Sequence, residues 1–108
     1  MQKLTDHTFQ SEIGLQEGRA VVLFTGAWCE PCKAMYPVFQ SVSENNDFIN
    51  IRFFTADINE CLVNSKRYMI TSIPELLLFN NGELIASLKG KASLKTVKSW
   101  LSKQHDSP

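Results

Sequence analysis

The sequence has no surplus of charge of either sign and no long apolar run. Eleven Lys and Arg residues balance eleven Asp and Glu residues, so no basic excess favours nucleic acid as a partner. No run approaches the length of about 18 apolar residues that a transmembrane helix requires. Residues 1–6 also lack the apolar segment of a signal peptide. We therefore expect neither a membrane partner nor export from the cell.

Cysteine is scarce as well. Three cysteines, an odd number, do not make the disulfide framework of a small secreted domain. Cys29 and Cys32 form a Cys-x-x-Cys pair, which is typical of a redox motif or of half a metal site. Zinc requires about four ligands, and the other candidates, Cys61, His7 and His105, show no second paired motif. The sequence therefore favours redox chemistry in a reducing cytoplasm, with no metal and no cofactor.

The residues around this pair favour a reactive sulfur at Cys29. The apolar run over residues 20–24 is typical of a buried strand, and a helix-like pattern follows the pair. Cys29 would then lie at a helix N-terminus, where free N–H groups and the helix dipole stabilise a thiolate. Pro31 suits the first helical turn, which needs no N–H from it. Cys32 would lie one turn on, close enough for a disulfide, with Trp28 as an apolar lip and part of the core.

Periodicity and turn residues predict the remaining elements. A first helix extends from its N-cap at Thr5 or Asp6 to residues 17–18, and a long helix with a kink at Pro37 follows Cys32. A strand over residues 48–56, with Ile49, Ile51 and Phe53 on one side, precedes a short helix through Cys61, Leu62 and Tyr68. A hairpin of residues 75–79 and 84–88 then turns at Asn81-Gly82, and a last helix is capped by Ser93. This order predicts an α/β fold with a mixed central β-sheet. We expect one domain over residues 1–108, acting as a monomer.

The motif over residues 28–33, Trp-Cys-Glu-Pro-Cys-Lys, resembles the Trp-Cys-Gly-Pro-Cys-Lys motif of the thioredoxin family. Residues 73–75, Ile-Pro-Glu, are similar to the family's Ile-Pro-Thr, and Asn81-Gly82 and Gly90 match its hairpin turn and site-bordering glycine. The resemblance covers nearly the whole chain. It implies a thioredoxin-like fold with helices on both faces of the sheet. It also implies a cytoplasmic thiol–disulfide oxidoreductase that reduces protein disulfides with electrons from a thioredoxin-reductase-type donor, in electron transport and cell redox homeostasis.

The resemblance also implies roles for individual residues. Cys29 would attack a substrate disulfide, and Cys32 would resolve the mixed disulfide. Pro74 would be cis, so that the backbone of Ile73 faces the dithiol and pairs with an extended substrate. The alternative is a trans proline that opens an edge strand. The expected substrate-binding surface consists of Trp28, Glu30, Pro31, Ile73, Pro74 and Gly90.

Several residues depart from the family pattern. Leu23 stands where thioredoxins usually have a buried aspartate, the presumed proton acceptor for the resolving cysteine, and Thr55 stands where they often have its lysine partner. The expected docking face around the dithiol is charged, with Glu30, Glu75, Lys89 and Lys91. Such a face narrows the range of partners and suggests a specialised electron donor.

Two other functions stay open at this point. The chain could be a binding or assembly module with incidental redox activity, which the charged face favours and the complete motif opposes. It could also be an oxidase or isomerase of an exported compartment, which the absent signal peptide opposes. Cys61 is either a regulatory thiol or a small apolar filler, and the filler is favoured.

Overall fold

The fold is built on a five-stranded mixed sheet. The computed structural model describes residues 1–105, with the side chain of His105 outside the described part together with residues 106–108. The strands are β1 (Gln2–Leu4), β2 (Arg19–Thr25), β3 (Ile51–Asp57), β4 (Glu75–Asn80) and β5 (Glu83–Lys89), in the spatial order β1-β3-β2-β4-β5. β1, β2 and β3 are mutually parallel, and β4 runs antiparallel to its two neighbours, β2 and β5. The predicted mixed sheet is therefore confirmed.

Helices cover both faces of the sheet. They are α1 (Asp6–Phe9, continued by a wider π-helical turn over Gln10–Gly14), α2 (Glu30–Ser43), α3 (Leu62–Arg67) and α4 (Leu94–His105). α2 and α4 contribute to one apolar cluster, with Met35, Phe39, Val97 and Leu101. Phe9, Ile13 and Cys61 belong to a second cluster on the opposite face. The expected α/β fold with helices on both faces is confirmed.

β2 is covered on both sides, which explains its continuous apolar sequence. Val21 and Leu23 contribute to the α2/α4 cluster, whereas Val22 and Phe24 contribute to the second cluster, with Phe9 and Ile13. All four side chains are completely buried. A strand buried on both faces reads as an unbroken apolar run, because neither set of alternating side chains meets water. The C-terminal end of this central strand leads directly to the Cys-x-x-Cys pair.

The Asn81-Gly82 turn joins β4 to β5 as predicted. Both residues have positive φ, 53° and 82°, which is the conformation that two-residue hairpins require. Asn81 Oδ1 also accepts a hydrogen bond from the N–H of Gly18 at 2.7 Å. A Cβ atom at Gly82 would collide with the carbonyl oxygen of Gly14. The turn thus fixes the hairpin against the segment that enters β2.

One strand was missed and two predicted boundaries were wrong. No pattern predicts β1, because three residues carry no periodicity. Ile49 is not in a strand: Asn45 Oδ1 accepts the N–H of Asp47 at 2.8 Å, and the resulting 3-10 turn over Asn46–Phe48 delays β3 to Ile51. Ile49 is therefore 75% exposed. The first helical segment ends at Gly14 rather than at residues 17–18.

Candidate active site

Cys29 lies at the N-cap of α2 and is disulfide-bonded to Cys32. The two Cα atoms are 5.2 Å apart, and Cys29 Sγ accepts a hydrogen bond from the N–H of Cys32 at 3.3 Å. Pro31 occupies the first turn of the helix, where its missing N–H leaves no bond unmade. The predicted placement of the pair is confirmed. Because the N–H of Cys32 in this first turn points at Cys29 Sγ, a thiolate there is stabilised.

The segment before β4 closes the site from the other side. The Ile73–Pro74 peptide bond is cis, as expected, and the Ile73 carbonyl oxygen lies 3.8 Å from Cys29 Sγ. Gly90, which has φ +85°, donates its N–H to the Pro74 carbonyl oxygen at 2.8 Å. The structure therefore brings Ile73, Pro74 and Gly90, which are far from the motif in sequence, to the edge of the dithiol.

An apolar groove of about 410 Å³ runs along the dithiol. Trp28, Glu30 and Pro31 line it beside Cys29, and the opposite wall consists of Ile58, Ile70, Thr71, Ser72 and Ile73. Trp28 was expected to be part of the core, but its side chain is 68% exposed. The groove is therefore a surface feature with an aromatic rim, open to an extended chain.

Gly26 is a site residue that sequence reasoning missed. A Cβ atom there would lie 2.8 Å from Ile73 Cδ1 and 3.5 Å from the Trp28 ring. A larger residue there would require the end of the Ile73 side chain to shift, whereas the Trp28 ring would remain at van der Waals distance. The glycine that follows a buried strand directly before the motif was the available clue. Ile58 and Ile70 were also missed, because nothing in their local pattern connects them to the dithiol.

Glu30 is exposed and forms an ion pair with Lys33. The Lys33 Nζ atom lies 3.2 Å from Glu30 Oε1, and the Glu30 side chain is 82% exposed. The pair follows the i,i+3 spacing of a helix surface. The carboxylate that replaces the family's glycine is thus partly neutralised by its own helix.

Glu75 does not lie on the charged docking face. Its residue surface is only 3% exposed, and its Oε1 atom is buried without a hydrogen-bond partner. Burial raises the pKa of the Glu75 carboxyl, and the charge of Lys89 lowers it by less. The prediction failed because β4 turns this side chain to the face of Phe24, its cross-strand neighbour. Glu30, Lys89 and Lys91 remain the exposed charges near the site.

No carboxyl side chain occupies the position of Leu23. Leu23 is completely buried in the α2/α4 cluster, between Thr55 of β3 and Leu76 of β4. A second cleft, of about 510 Å³, reaches Cys32, and Tyr36, Thr55 and Asp57 are among its lining residues. Cys32 therefore borders a cleft that is separate from the groove lined by Cys29.

Cys61 is a buried filler, as the sequence favoured. It precedes α3, is fully buried, and its Sγ donates a hydrogen bond to the Leu4 carbonyl oxygen at 3.3 Å. Burial, followed by the charges of Asp6, Glu60 and Asp57, raises the pKa of the Cys61 thiol to about 11. Because the thiolate is the nucleophile, this thiol is unreactive near neutral pH. Within residues 1–105, no three His, Cys, Asp or Glu side chains are grouped to hold a metal ion.

An α/β fold that holds a Cys-x-x-Cys disulfide at a helix N-terminus defines a thiol–disulfide oxidoreductase. The family model described as Thioredoxin matches residues 1–103. Thioredoxin C-2 of Corynebacterium nephridii is 35% identical over 89 residues, 82% of this chain and 81% of that relative. A thioredoxin of Buchnera aphidicola subsp. Acyrthosiphon pisum is 33% identical over 100 residues, 92% of this chain and 91% of the relative. The chain belongs to the thioredoxin family.

Membership in this family implies protein disulfides as substrates and a reductase as electron donor. The complete Cys-x-x-Cys pair agrees with this redox function, since a fold used only for binding does not require it. None of the helices in the described residues is long and apolar enough to cross a membrane.

Proposed function

We propose that Cys29 is the attacking thiolate and Cys32 the resolving thiol in the reduction of protein disulfides. The observation that carries this proposal is the position of Cys29 Sγ, which receives the N–H of Cys32 at 3.3 Å and lies 3.8 Å from the Ile73 carbonyl oxygen. Helix N–H groups stabilise negative charge on this sulfur. Cys29 lines the apolar groove and Cys32 does not, and the exposed fraction is 6% for Cys29 and 2% for Cys32, so a protein substrate reaches Cys29 first.

The reaction proceeds through two exchanges. The Cys29 thiolate attacks one sulfur of the substrate disulfide, forms a mixed disulfide and expels the other substrate sulfur as a thiolate, which takes up a proton. Cys32 then loses its proton and attacks Cys29 Sγ, which releases the second substrate sulfur. The substrate gains two electrons and two protons, and the chain is left with the Cys29–Cys32 disulfide. A reductase returns two electrons to this disulfide.

The proton of Cys32 leaves through water in this proposal. The apolar side chain of Leu23 supplies no base, whereas the cleft beside Cys32 is lined by Thr55 and Asp57. Water held there accepts the proton, and the Asp57 carboxylate at the rim favours its removal. Resolution of the mixed disulfide is then the step that the departure at Leu23 slows.

The substrate would bind as an extended segment in the apolar groove. Trp28, Glu30 and Pro31 form one side of it and Ile73 belongs to the other. The Ile73 carbonyl group lies beside Cys29 Sγ, and Gly90 borders the site through its bond to the Pro74 carbonyl oxygen. An extended chain pairs with such groups through main-chain hydrogen bonds. This binding mode accepts many sequences, because the backbone of the partner supplies the contacts.

The cellular setting of the chain is part of the same proposal. Its thioredoxin relatives and its reducible dithiol support a cytoplasmic protein, acting in electron transport and redox homeostasis as a monomer of one domain over residues 1–108. The exposed charges of Glu30, Lys89 and Lys91 support a donor adapted to them, since a partner with an apolar surface would have to desolvate them.

A turnover assay tests the function directly. The chain is mixed with NADPH, the thioredoxin reductase of the same organism and a protein disulfide, and NADPH oxidation is followed. We expect catalytic turnover that Cys29→Ser abolishes. A chain that binds the protein substrate but supports no turnover, with this or any other reductase, would instead be the binding module whose redox activity is incidental.

A further inference from the structure

Positive charge is segregated at the C-terminal end of the chain. Residues 84–105 contain five lysines and no Asp or Glu, whereas residues 1–83 contain ten Asp and Glu against six Lys and Arg; the eleventh acidic residue, Asp106, lies outside the described residues. The lysines are Lys89, Lys91, Lys95, Lys98 and Lys103. Among the described residues, none of them forms an ion pair. The electroneutral sequence therefore folds into a molecule with one strongly basic region.

This basic region begins at the dithiol and continues along α4. Lys89 and Lys91 flank Gly90, whose N–H is bonded to the Pro74 carbonyl oxygen. The N–H of Ala92 then contacts Met35 Sδ at 3.5 Å, which places the start of α4 beside the first turns of α2. Lys95 and Lys103 are two turns apart, about 12 Å along the helix. We call Lys95, Lys98 and Lys103 the α4 lysine face, and Lys91 lies three residues before the start of α4.

Two neighbouring concavities shape this face. One of about 560 Å³ is lined by Leu94, Lys95, Lys98, Ser99, Ser102 and Lys103. The other, of about 380 Å³, shares Lys95, Ser99 and Lys103 and adds Leu88, Thr96 and Trp100. Among residues 1–105, no acidic side chain belongs to the lining of either concavity. Both combine ammonium groups with hydroxyl groups and apolar surface, which suits carboxylates carried on a polypeptide with some apolar side chains.

We propose that the α4 lysine face is a docking surface for an acidic segment of the partner protein whose disulfide enters the groove at Trp28. This rests on the proposed function and names the chemistry of the preferred partner. The charge distribution favours a protein segment over a nucleic acid. A long polyanion would also meet the acidic surplus of residues 1–83, whereas a short acidic segment meets only the lysines.

The test compares two disulfide peptides that differ only in a tail of six residues. One tail consists of Glu and Asp, and the other of Gln and Asn. Stopped-flow fluorescence gives the second-order rate constant for each with the pre-reduced chain, without a reductase. We expect the acidic tail to react about fivefold faster at low ionic strength, and the two tails to converge at about 0.5 M salt.

Two variants with equal loss of charge locate the effect. Lys95→Gln with Lys103→Gln should reduce the preference for the acidic tail to less than about twofold. Lys66→Gln with Arg67→Gln, on α3 at the other face of the sheet, should leave it unchanged. Equal rates for both tails in the parent chain would overturn the assignment of the α4 lysine face as a docking surface. An equal loss of the preference for the acidic tail in both double variants would overturn it as well.

A binding titration separates this surface from the proposed function. If neither disulfide peptide is reduced, the proposed function fails. The docking surface is then decided by adding a cysteine-free acidic peptide to the ¹⁵N-labelled oxidised chain. Amide shifts confined to residues 91–103 would support it, and shifts elsewhere or none would overturn it. A single-stranded oligonucleotide of equal charge that shifts these amides more strongly than the peptide would overturn the assignment of a protein partner.

Discussion

Glu75 lies directly opposite Lys89 in the β4–β5 ladder, yet the two side chains form no ion pair within the described part of the chain. Lys89 is exposed, whereas the Glu75 carboxyl is buried with Oε1 unbonded. An unpartnered buried oxygen costs about 1–3 kcal/mol. The chain therefore retains a destabilising carboxyl directly after cis-Pro74.

Glu75 should make the protein less stable as the pH rises. Burial raises the pKa of its carboxyl in the folded state, so below the ordinary pKa both states are protonated and no penalty exists. Above it, the unfolded chain releases a proton that the folded chain keeps, and stability falls until the raised folded pKa is passed. Glu75→Gln should therefore match the parent near pH 4 and exceed its unfolding free energy by about 1 kcal/mol near pH 8.

Urea denaturation at several pH values measures this effect. The matched control is Glu83→Gln, which removes an exposed carboxylate from the same hairpin and should leave the difference from the parent nearly constant with pH. Parallel stability profiles for Glu75→Gln and the parent would show that the buried carboxyl does not titrate differently on unfolding.

Leu23→Asp should destabilise the oxidised protein and accelerate its chemistry. The side chain is completely buried beneath the helix that carries the dithiol. Replacing it loses apolar burial and places a carboxyl among apolar groups, at about 2–4 kcal/mol near pH 7. Burial would raise the folded pKa of that carboxyl, so the loss should shrink as the pH falls. The new base should also speed the attack of Cys32 on a mixed disulfide.

Denaturant unfolding and the release rate of a preformed Cys29 adduct give the two readouts. Leu23→Asn serves as control, since it introduces polarity without a titrating base and should destabilise the fold equally at all pH values. An aspartate variant as stable as the parent, or one that releases the adduct no faster, would mean that this position does not control the resolving thiol.

The charge of Glu30 should make the dithiol slightly more reducing. A carboxylate near Cys29 disfavours the thiolate of the reduced state, and Lys33 offsets part of this effect through its contact at 3.2 Å. Glu30→Gln should raise the reduction potential by up to about 10–20 mV, and Lys33→Gln should lower it. Equilibration with glutathione measures both potentials. A fall in the Glu30→Gln potential would rule out the electrostatic explanation.

Local patterns predicted the parts of the site that depend on local chemistry. The position of Cys29 at a helix N-terminus follows from a strand, a Cys-x-x-Cys pair and Pro31 in sequence. The resemblance added Pro74 and Gly90. The burial of Glu75 and the exposure of Trp28 depend on contacts between distant segments, such as Phe24 with Glu75 and Gly26 with Ile73. No periodicity in a single segment contains that information, which is why Glu75 was assigned to the surface and why Trp28, correctly predicted as a lip beside the dithiol, was also assigned in part to the core.

Trapping of a mixed disulfide tests the division of roles between Cys29 and Cys32 most directly. Reduced Cys32→Ser and reduced Cys29→Ser are incubated with a protein that contains one disulfide, and the adducts are counted by mass spectrometry. Cys32→Ser should accumulate at least about tenfold more adduct than Cys29→Ser, bonded through Cys29, because only Cys29 has both access and a stabilised thiolate. Cys61→Ser in the same background should not change the yield. Equal trapping by both serine variants would contradict the assigned roles.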